Sequence, residues 1–441
     1  MKNPEKVRRI ILIIFTIIFI ALECVTIWPI TGLYGSRLDW WGGNSTIRAT
    51  SIAVFGAPLG TIGLVVTLHF LFKQPITMTV GYLFRQKKVL RGVQVCAITA
   101  GILLTCLCMP YFAIPVQIGQ NARQEFAETW GSDWESQIAA PSSGPWLGTP
   151  YSLGIYYTGL PYDRSTITKT LDVEFFQTGN DSFTFDVFEP AASDGPFPAI
   201  ICIHGGGWCG FDKNTIFEYQ REYLAAAGYV VFTVQYGASQ ESERTRQFSM
   251  QEIMDNLAHF SDWLAVPANT AQYKVDLAHC FVNGLSAGGH LSALVTVARY
   301  NVSAWNPAVN VVGGIDFYGI TDIRHWVQIN QNWLNASGLF NASVLTDFTV
   351  VDPFSPITYI ADEDSNVSHV APLLIFHGDV DSVVNVSQSR QLDALCDARG
   401  LKCIYIEISR GEHVFEGNSR EAGAQISLWA IERFLKLCLS Q

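Results

Sequence analysis

Residues 280–300 read CFVNGLSAGGHLSALVTVARY, and the fold is decided there. Cys280–Gly284 is a continuous apolar run of the kind found in buried parallel strands. Gly284-Leu285-Ser286-Ala287-Gly288 follows, and then a helical pattern over Gly289–Tyr300. Small residues on both sides of Ser286 permit a tight strand-to-helix turn that lifts its hydroxyl above a sheet, close to a helix N-terminus.

The same alternation extends in both directions. Leu171–Gln177 and Phe183–Phe188 alternate apolar with polar around a TGND turn and predict a β-hairpin. Apolar runs at Pro198–Ile203, Val230–Tyr236, Val311–Tyr318, Leu373–Phe376 and Lys402–Ile408 predict further strands. Helical patterns near Phe217–Ala227, Met250–Leu264, Ser387–Gly400 and Ala422–Leu437 fall between them. Strands alternating with helices imply a mostly parallel sheet covered on both faces. Residues 166–441 are therefore read as one α/β domain.

Three further loops at strand ends carry groups that bear on chemistry. His204-Gly205-Gly206-Gly207-Trp208 directly follows the strand PAIICI, and its glycines let backbone N–H groups turn inward. Such donors, with the N–H of Ala287, can stabilise an oxyanion. A serine nucleophile also needs a base, and the base needs an orienting acid. The stretch LLIFHGDVDSVV offers Asp379 and Asp381, with Asp316 and Asp322 as further candidates. His413, in Gly411-Glu412-His413, is the last histidine of the chain. His204, His290 and His377 read as structural, and Glu412 as a solvated loop charge. No zinc-spaced His/Cys cluster, phosphate loop or dinucleotide fingerprint is present, so no metal or cofactor is expected.

The N-terminal quarter is a different kind of polymer. Residues 1–115 carry 11 basic and 3 acidic side chains, whereas the rest carries 17 basic and 36 acidic. Apolar runs at about 10–30, 51–72 and 93–116 each reach the ~20 residues that span a bilayer as a helix. The basic residues cluster before the first run and between the second and third. That pattern predicts a cytosolic N-terminus and a large domain on the opposite side, in the secretory-pathway lumen or outside the cell. The N-x-S/T pattern at Asn44, Asn180, Asn301, Asn335, Asn341, Asn366 and Asn385 falls only in segments placed on that side, and marks a glycoprotein. Cys396 and Cys403 flank a predicted helix end and the next strand and are the best disulfide candidates for an oxidising compartment. Residues 117–165 look irregular and read as a linker with an arm packed on the domain. With charged residues at 15 %, well below the ~25 % of an ordinary soluble domain, the chain is neither disordered nor shaped for nucleic acid.

Taken together, HGGGWCG (204–210), GLSAGGHL (284–291), DPFSPITYI (352–360), LLIFHGDVDSVV (373–384) and GEHVFEG (411–417) resemble the α/β-hydrolase superfamily. They look most like its carboxylesterase/lipase branch with an HGGGW oxyanion loop, which includes hormone-sensitive-lipase-like, feruloyl-esterase-like and kynurenine-formamidase-like enzymes. The resemblance implies a mostly parallel eight-stranded sheet flanked by helices, here preceded by a three-helix transmembrane region. It implies Ser286 as nucleophile, Asp381 as the acid and His413 as the base. The amides of Gly206, Gly207 and Ala287 become the oxyanion donors, and Trp208 lies at the substrate. The chain departs from the usual pattern at Cys209 and in its three membrane spans.

The expected activity is hydrolysis of a small-molecule or lipid carboxylic ester through an acyl-enzyme. The alternatives are amide cleavage on the same triad, as by an arylformamidase or peptidase, or a non-catalytic binding role for the fold. The segment Arg324–Val351, with Trp326, Trp333, Leu334, Leu339 and Phe340, is either a lid over the acyl pocket or a surface excursion.

Overall fold

The computed structural model describes residues 99, 102 and 113–441, apart from 142, 192–193, 238–247, 303–304, 331–338, 341–346 and 363–365. The chain divides into two compact units, Met1–Gln117 and Ile118–Gln441. The runs read as membrane spans lie outside the described residues except at 99, 102 and 113–116. Asn44, Asn335 and Asn341 also lie outside them. Among the described residues, no helix is long and apolar enough to cross a membrane.

The second unit is built on an eight-stranded sheet of order β1-β2-β4-β3-β5-β6-β7-β8. The strands are β1 (Ile167–Thr178), β2 (Asp181–Pro190), β3 (Phe197–Ile203), β4 (Val230–Val234), β5 (Val275–Leu285), β6 (Val311–Phe317), β7 (Leu373–Gly378) and β8 (Cys403–Ile408). The β1–β2 hairpin joins the sheet antiparallel through β4, and every pairing from β4 to β8 is parallel. The hairpin turns at Gly179, whose φ of 60° suits a residue without Cβ. β5 begins earlier than its apolar run indicates. Val275 and Asp276 pair with Phe197 and Pro198 ahead of a register shift, so polar residues enter the strand before the buried stretch.

The principal helices are α1 (Glu218–Ala226), α2 (Met250–Ala265), α3 (Ala287–Val302), α4 (Ser387–Arg399) and α5 (Ala422–Leu439). The start of α2 is fixed by a capping box in which Ser249 and Glu252 satisfy each other's backbone amides. Successive residues of β6 show how both faces are covered. A Cβ on Gly313 would meet the Phe434 ring of α5 at 3.0 Å, and one on Gly314 would meet Thr296 Oγ1 of α3 at 2.1 Å. The two glycines point to opposite faces, and each lets a helix lie close to the sheet. The larger apolar layer gathers Ile201, Phe232, Val282 and Ile375 from the strands with Leu257, Leu291 and Leu392 from α2, α3 and α4. Burial of each such side chain contributes roughly 1.5–3 kcal/mol.

The segment 117–165 is less irregular than its composition indicates. A helix continues to residue 130 and buries Ile118, Ala122 and Phe126, one turn apart. Phe126 stacks on Trp134 at 4.7 Å and meets Trp429 of α5 edge-on at 5.8 Å. Further along, Leu147 donates its N–H to the Glu432 carboxylate at 3.1 Å, and Arg433 lies 4.0 Å over the Trp146 ring. The arm thus completes the outer surface of α5. Cys396 at the end of α4 is joined to Cys403 at the start of β8 by a disulfide. Among the other sequons, Asn180, Asn366 and Asn385 are exposed, and Asn301 falls within α3.

Candidate active site

The parallel register brings five loops out at one edge of the sheet. Ile203, Gly284 and Asp316 are lateral neighbours at the carboxyl ends of β3, β5 and β6, and β7 and β8 end beside them. In open α/β sheets this edge is where sites form.

Ser286 occupies the β5–α3 turn with φ 57°, a left-handed conformation that costs energy for a residue with a Cβ. Its N–H donates to Phe317 O at 2.8 Å, and its own carbonyl accepts from His290 N at 3.0 Å. The flanking glycines are sterically required. A Cβ on Gly284 would sit 1.9 Å from Gly288 O, and one on Gly288 would sit 2.0 Å from Ile203 O. The turn is therefore clamped against the end of β3, and Ser286 stands above it.

His413 Nε2 lies 3.0 Å from Ser286 Oγ, and His413 Nδ1 lies 2.7 Å from Asp381 Oδ2. A carboxylate only accepts, so Nδ1–H donates to Asp381 and Nε2 is left to accept the Ser286 hydroxyl proton. Asp381 Oδ1 accepts two more bonds, from Val383 N and Val384 N, both at 2.8 Å. Burial pushes the Asp381 pKa upward, but the bonds and charge interactions with His377 and His413 outweigh it and hold the carboxyl well below the usual range. His377 donates from Nε2 to Val384 O at 2.9 Å and accepts at Nδ1 from Ser389 Oγ at 2.7 Å, bracing the Asp381 loop.

The other acidic candidates do not reach the imidazole. Asp379 accepts from Arg410 N. Asp322 caps a short helix, accepting from His325 N at 2.9 Å. Asp316 accepts from Gly319 N at 2.8 Å, and burial pushes its pKa up to about 7.

The glycine loop curls on itself. Gly206 O accepts from Cys209 N and Gly210 N, and φ is 113° at Gly206 and 59° at Gly207. A Cβ on Gly206 would lie 2.1 Å from Gly210 O, and one on Gly205 would lie 3.4 Å from Ser286 Cβ. The loop thus packs directly beside the serine. Ala287 is the first residue of α3, where the amide has no acceptor within the helix. His204 stacks on Tyr236 at 4.1 Å and directs Nδ1 at Gly205 O at 2.7 Å. Burial holds its pKa down near 4, so it shapes the loop as a neutral ring.

Trp208 directly follows the glycines of this loop. It is buried, and its indole donates to His290 Nδ1 at 3.0 Å. Indole is a donor only, so His290 keeps its proton on Nε2 and donates it to Phe354 O at 2.6 Å. Burial pushes the His290 pKa down to about 4, consistent with that tautomer. Trp208 therefore ties the glycine loop to α3 and to the DPFSPITYI segment. Trp326 meets Trp208 edge-on at 5.2 Å, so the start of the Arg324–Val351 excursion rests on the same indole.

Two neighbours of the imidazole were not legible as site residues. The Tyr318 ring lies 4.4 Å from that of His413, with φ 45° at the end of β6, and its hydroxyl donates to the buried Glu416 carboxylate. Burial pushes the Glu416 pKa up to about 7. Glu412, read as a solvated charge, is only 5 % exposed and accepts from the N–H and hydroxyl of Ser382. A tyrosine closing an apolar strand was the available signal for the first, whereas the second is set by tertiary pairing of loops. A cavity of about 570 Å³ bordered by Gly195, Pro196, Thr270 and Lys274 lies near the opposite strand ends and includes none of these groups. Among the described residues, no His/Cys/Asp/Glu group is arranged to hold a metal ion.

The BD-FAE family model matches residues 185–395. The chain is 26 % identical over 252 residues to a probable carboxylic ester hydrolase, LipM, of Mycobacterium tuberculosis, covering 55 % of this chain and 54 % of that protein. It is 25 % identical over 210 residues to arylacetamide deacetylase of Mus musculus, covering 45 % and 49 %. The chain thus spans about half the length of these curated relatives. Among solved structures, esterase B from Lactobacillus rhamnosis is similar at 19 % identity and a TM-score of 0.49, covering 74 % of this chain and 97 % of that one. The family-model match covers a little under half of the chain, and these curated relatives are named as an ester hydrolase and a deacetylase.

Proposed function

We propose that the protein is a membrane-anchored serine hydrolase that cleaves carboxylic esters through an acyl-enzyme. The observation that carries this reading is the hydrogen-bonded row Ser286–His413–Asp381 beside the glycine loop. Ser286 Oγ attacks the ester carbonyl while His413 Nε2 takes its proton. Asp381 holds the ring and stabilises the imidazolium. The amides of Gly206, Gly207 and Ala287 receive the oxyanion. His413 returns the proton to the leaving alkoxide and then activates the water that releases the acid. No cofactor enters this sequence. The substrate is a small-molecule or lipid ester.

The full chain should hydrolyse p-nitrophenyl esters across an acyl-chain-length series. A wild-type protein inert toward the whole series would remove the reading. Amide cleavage is the second reading, because one relative is named for an arylacetamide. The same series run with matched anilides ranks the two by kcat/KM.

In this reading residues 1–116 anchor the protein, 117–165 form the arm, and 166–441 carry the chemistry in the secretory-pathway lumen or outside the cell. Exposure of Asn180, Asn366 and Asn385 suits glycosylation there. Deglycosylation of the protein made in a eukaryotic secretory cell should increase its gel mobility. Unchanged mobility would count against that placement.

A further inference from the structure

The two loops that bring the acid and the base together are bonded at successive residues. Arg410 N donates to Asp379 Oδ1. Val380 N donates to Gly411 O at 3.2 Å. His413 donates to Asp381, and Ser382 donates its N–H, at 3.2 Å, and its hydroxyl to Glu412. The backbones are in contact as well, since a Cβ on Gly378 would lie 2.2 Å from Gly411 O. Four consecutive residues, 379–382, thus each hold a partner in 410–413. Glu412 is the rung that adds a second carboxyl group beside the first.

We propose that Glu412 is a positioning residue of the site, which locks the Asp381 loop to the His413 loop through Ser382 and, as a charge next to His413, favours the imidazolium formed during acyl transfer. This rests on the hydrolase reading above and deepens it. The charges of Asp381 and His413 act on the Glu412 carboxyl. His377 stands behind Asp381, Glu416 lies beyond the Tyr318 ring, and Asp379 and Arg410 close the far end of the ladder. Burial and the Asp381 charge push the Glu412 carboxyl pKa up, while both Ser382 donors oppose this and favour the carboxylate. A second carboxyl group is therefore held at the His413 loop by a serine that has no part in the reaction.

The test uses the full chain, with kcat/KM for p-nitrophenyl butyrate followed against pH. Glu412→Gln keeps the shape and an acceptor for Ser382 but removes the charge. Losing a carboxylate disfavours protonation of the nearby imidazole, so the acid limb should move to lower pH by about half a unit to one unit, with the plateau within about tenfold of wild type. Ser382→Ala keeps the charge and the backbone N–H bond but removes the hydroxyl half of the tie, so the plateau kcat should fall about three- to tenfold while the acid limb stays in place. A Glu412→Gln limb that superimposes on wild type overturns the electrostatic role, and an unchanged kcat in Ser382→Ala overturns the tie. Ser382→Ala remains decisive if Glu412→Gln does not fold. A wild type inert to both the ester and a fluorophosphonate would instead overturn the hydrolase reading itself, and this proposal with it.

Discussion

Replacing Ser286 by alanine is expected to lower kcat by about 10⁶-fold, the scale on which other serine triads fail when the nucleophile is removed. The geometry explains why nothing substitutes for it. The hydroxyl is held 3.0 Å from His413 Nε2 by a turn in which both flanking glycines are pinned against backbone carbonyls. The variant keeps its Cβ, and so faces the same left-handed φ as the serine, leaving thermal stability close to wild type. Fluorophosphonate labelling should be lost with the same substitution. Measuring kcat, thermal midpoint and labelling together separates loss of chemistry from loss of fold. A Ser286→Ala variant that retains ester turnover would contradict the assignment.

Asp381→Asn should cost about 10⁴-fold in kcat with little change in KM, as the corresponding change does in other triads. Asp381 is bonded by His413 Nδ1 and by two backbone amides. An asparagine can keep the amide bonds through its carbonyl and then presents NH₂ to the ring. That forces Nδ1 to accept and moves the imidazole proton to Nε2, the atom that must take the proton of Ser286. The pH behaviour follows as well. Because the Asp381 pKa is depressed in the folded chain, its favourable interactions are fully present above the unfolded carboxyl value and are lost only as pH falls through the depressed one. Mild acidification therefore leaves Asp381 ionised and its bonds intact. Stopped-flow or steady-state kcat and KM on a chromogenic ester check the prediction. A variant retaining more than a tenth of wild-type kcat would not fit the proposed role.

The parts of this architecture that are local were legible in the sequence. The turn around Ser286 announces itself because Gly284 and Gly288 meet backbone atoms where any Cβ would collide. The strands are apolar because they are buried between two helical layers, so β3, β4, β6, β7 and β8 appear close to their predicted bounds. The helix ending at residue 130 was not foreseen. Its buried stripe of Ile118, Ala122 and Phe126 is narrow, and the aromatic residues that follow pack on α5, far away in sequence. Trp208 illustrates the same limit. Its indole is committed to His290 and Trp326, which only the fold brings near. Glu412 is the converse case, a charge that reads as solvated until two loops close over it. The spans at about 10–30, 51–72 and 93–116 rest on apolar length and on the placing of Lys and Arg.

The most direct measurement is peptide mass spectrometry of the full-length protein after reaction with a fluorophosphonate. A single adduct on the peptide containing Ser286, absent from Asp381→Asn protein treated for the same time, is the predicted result. An adduct on another residue, or none under conditions that saturate a known serine esterase, would contradict the proposal that Ser286, His413 and Asp381 work as one nucleophilic unit.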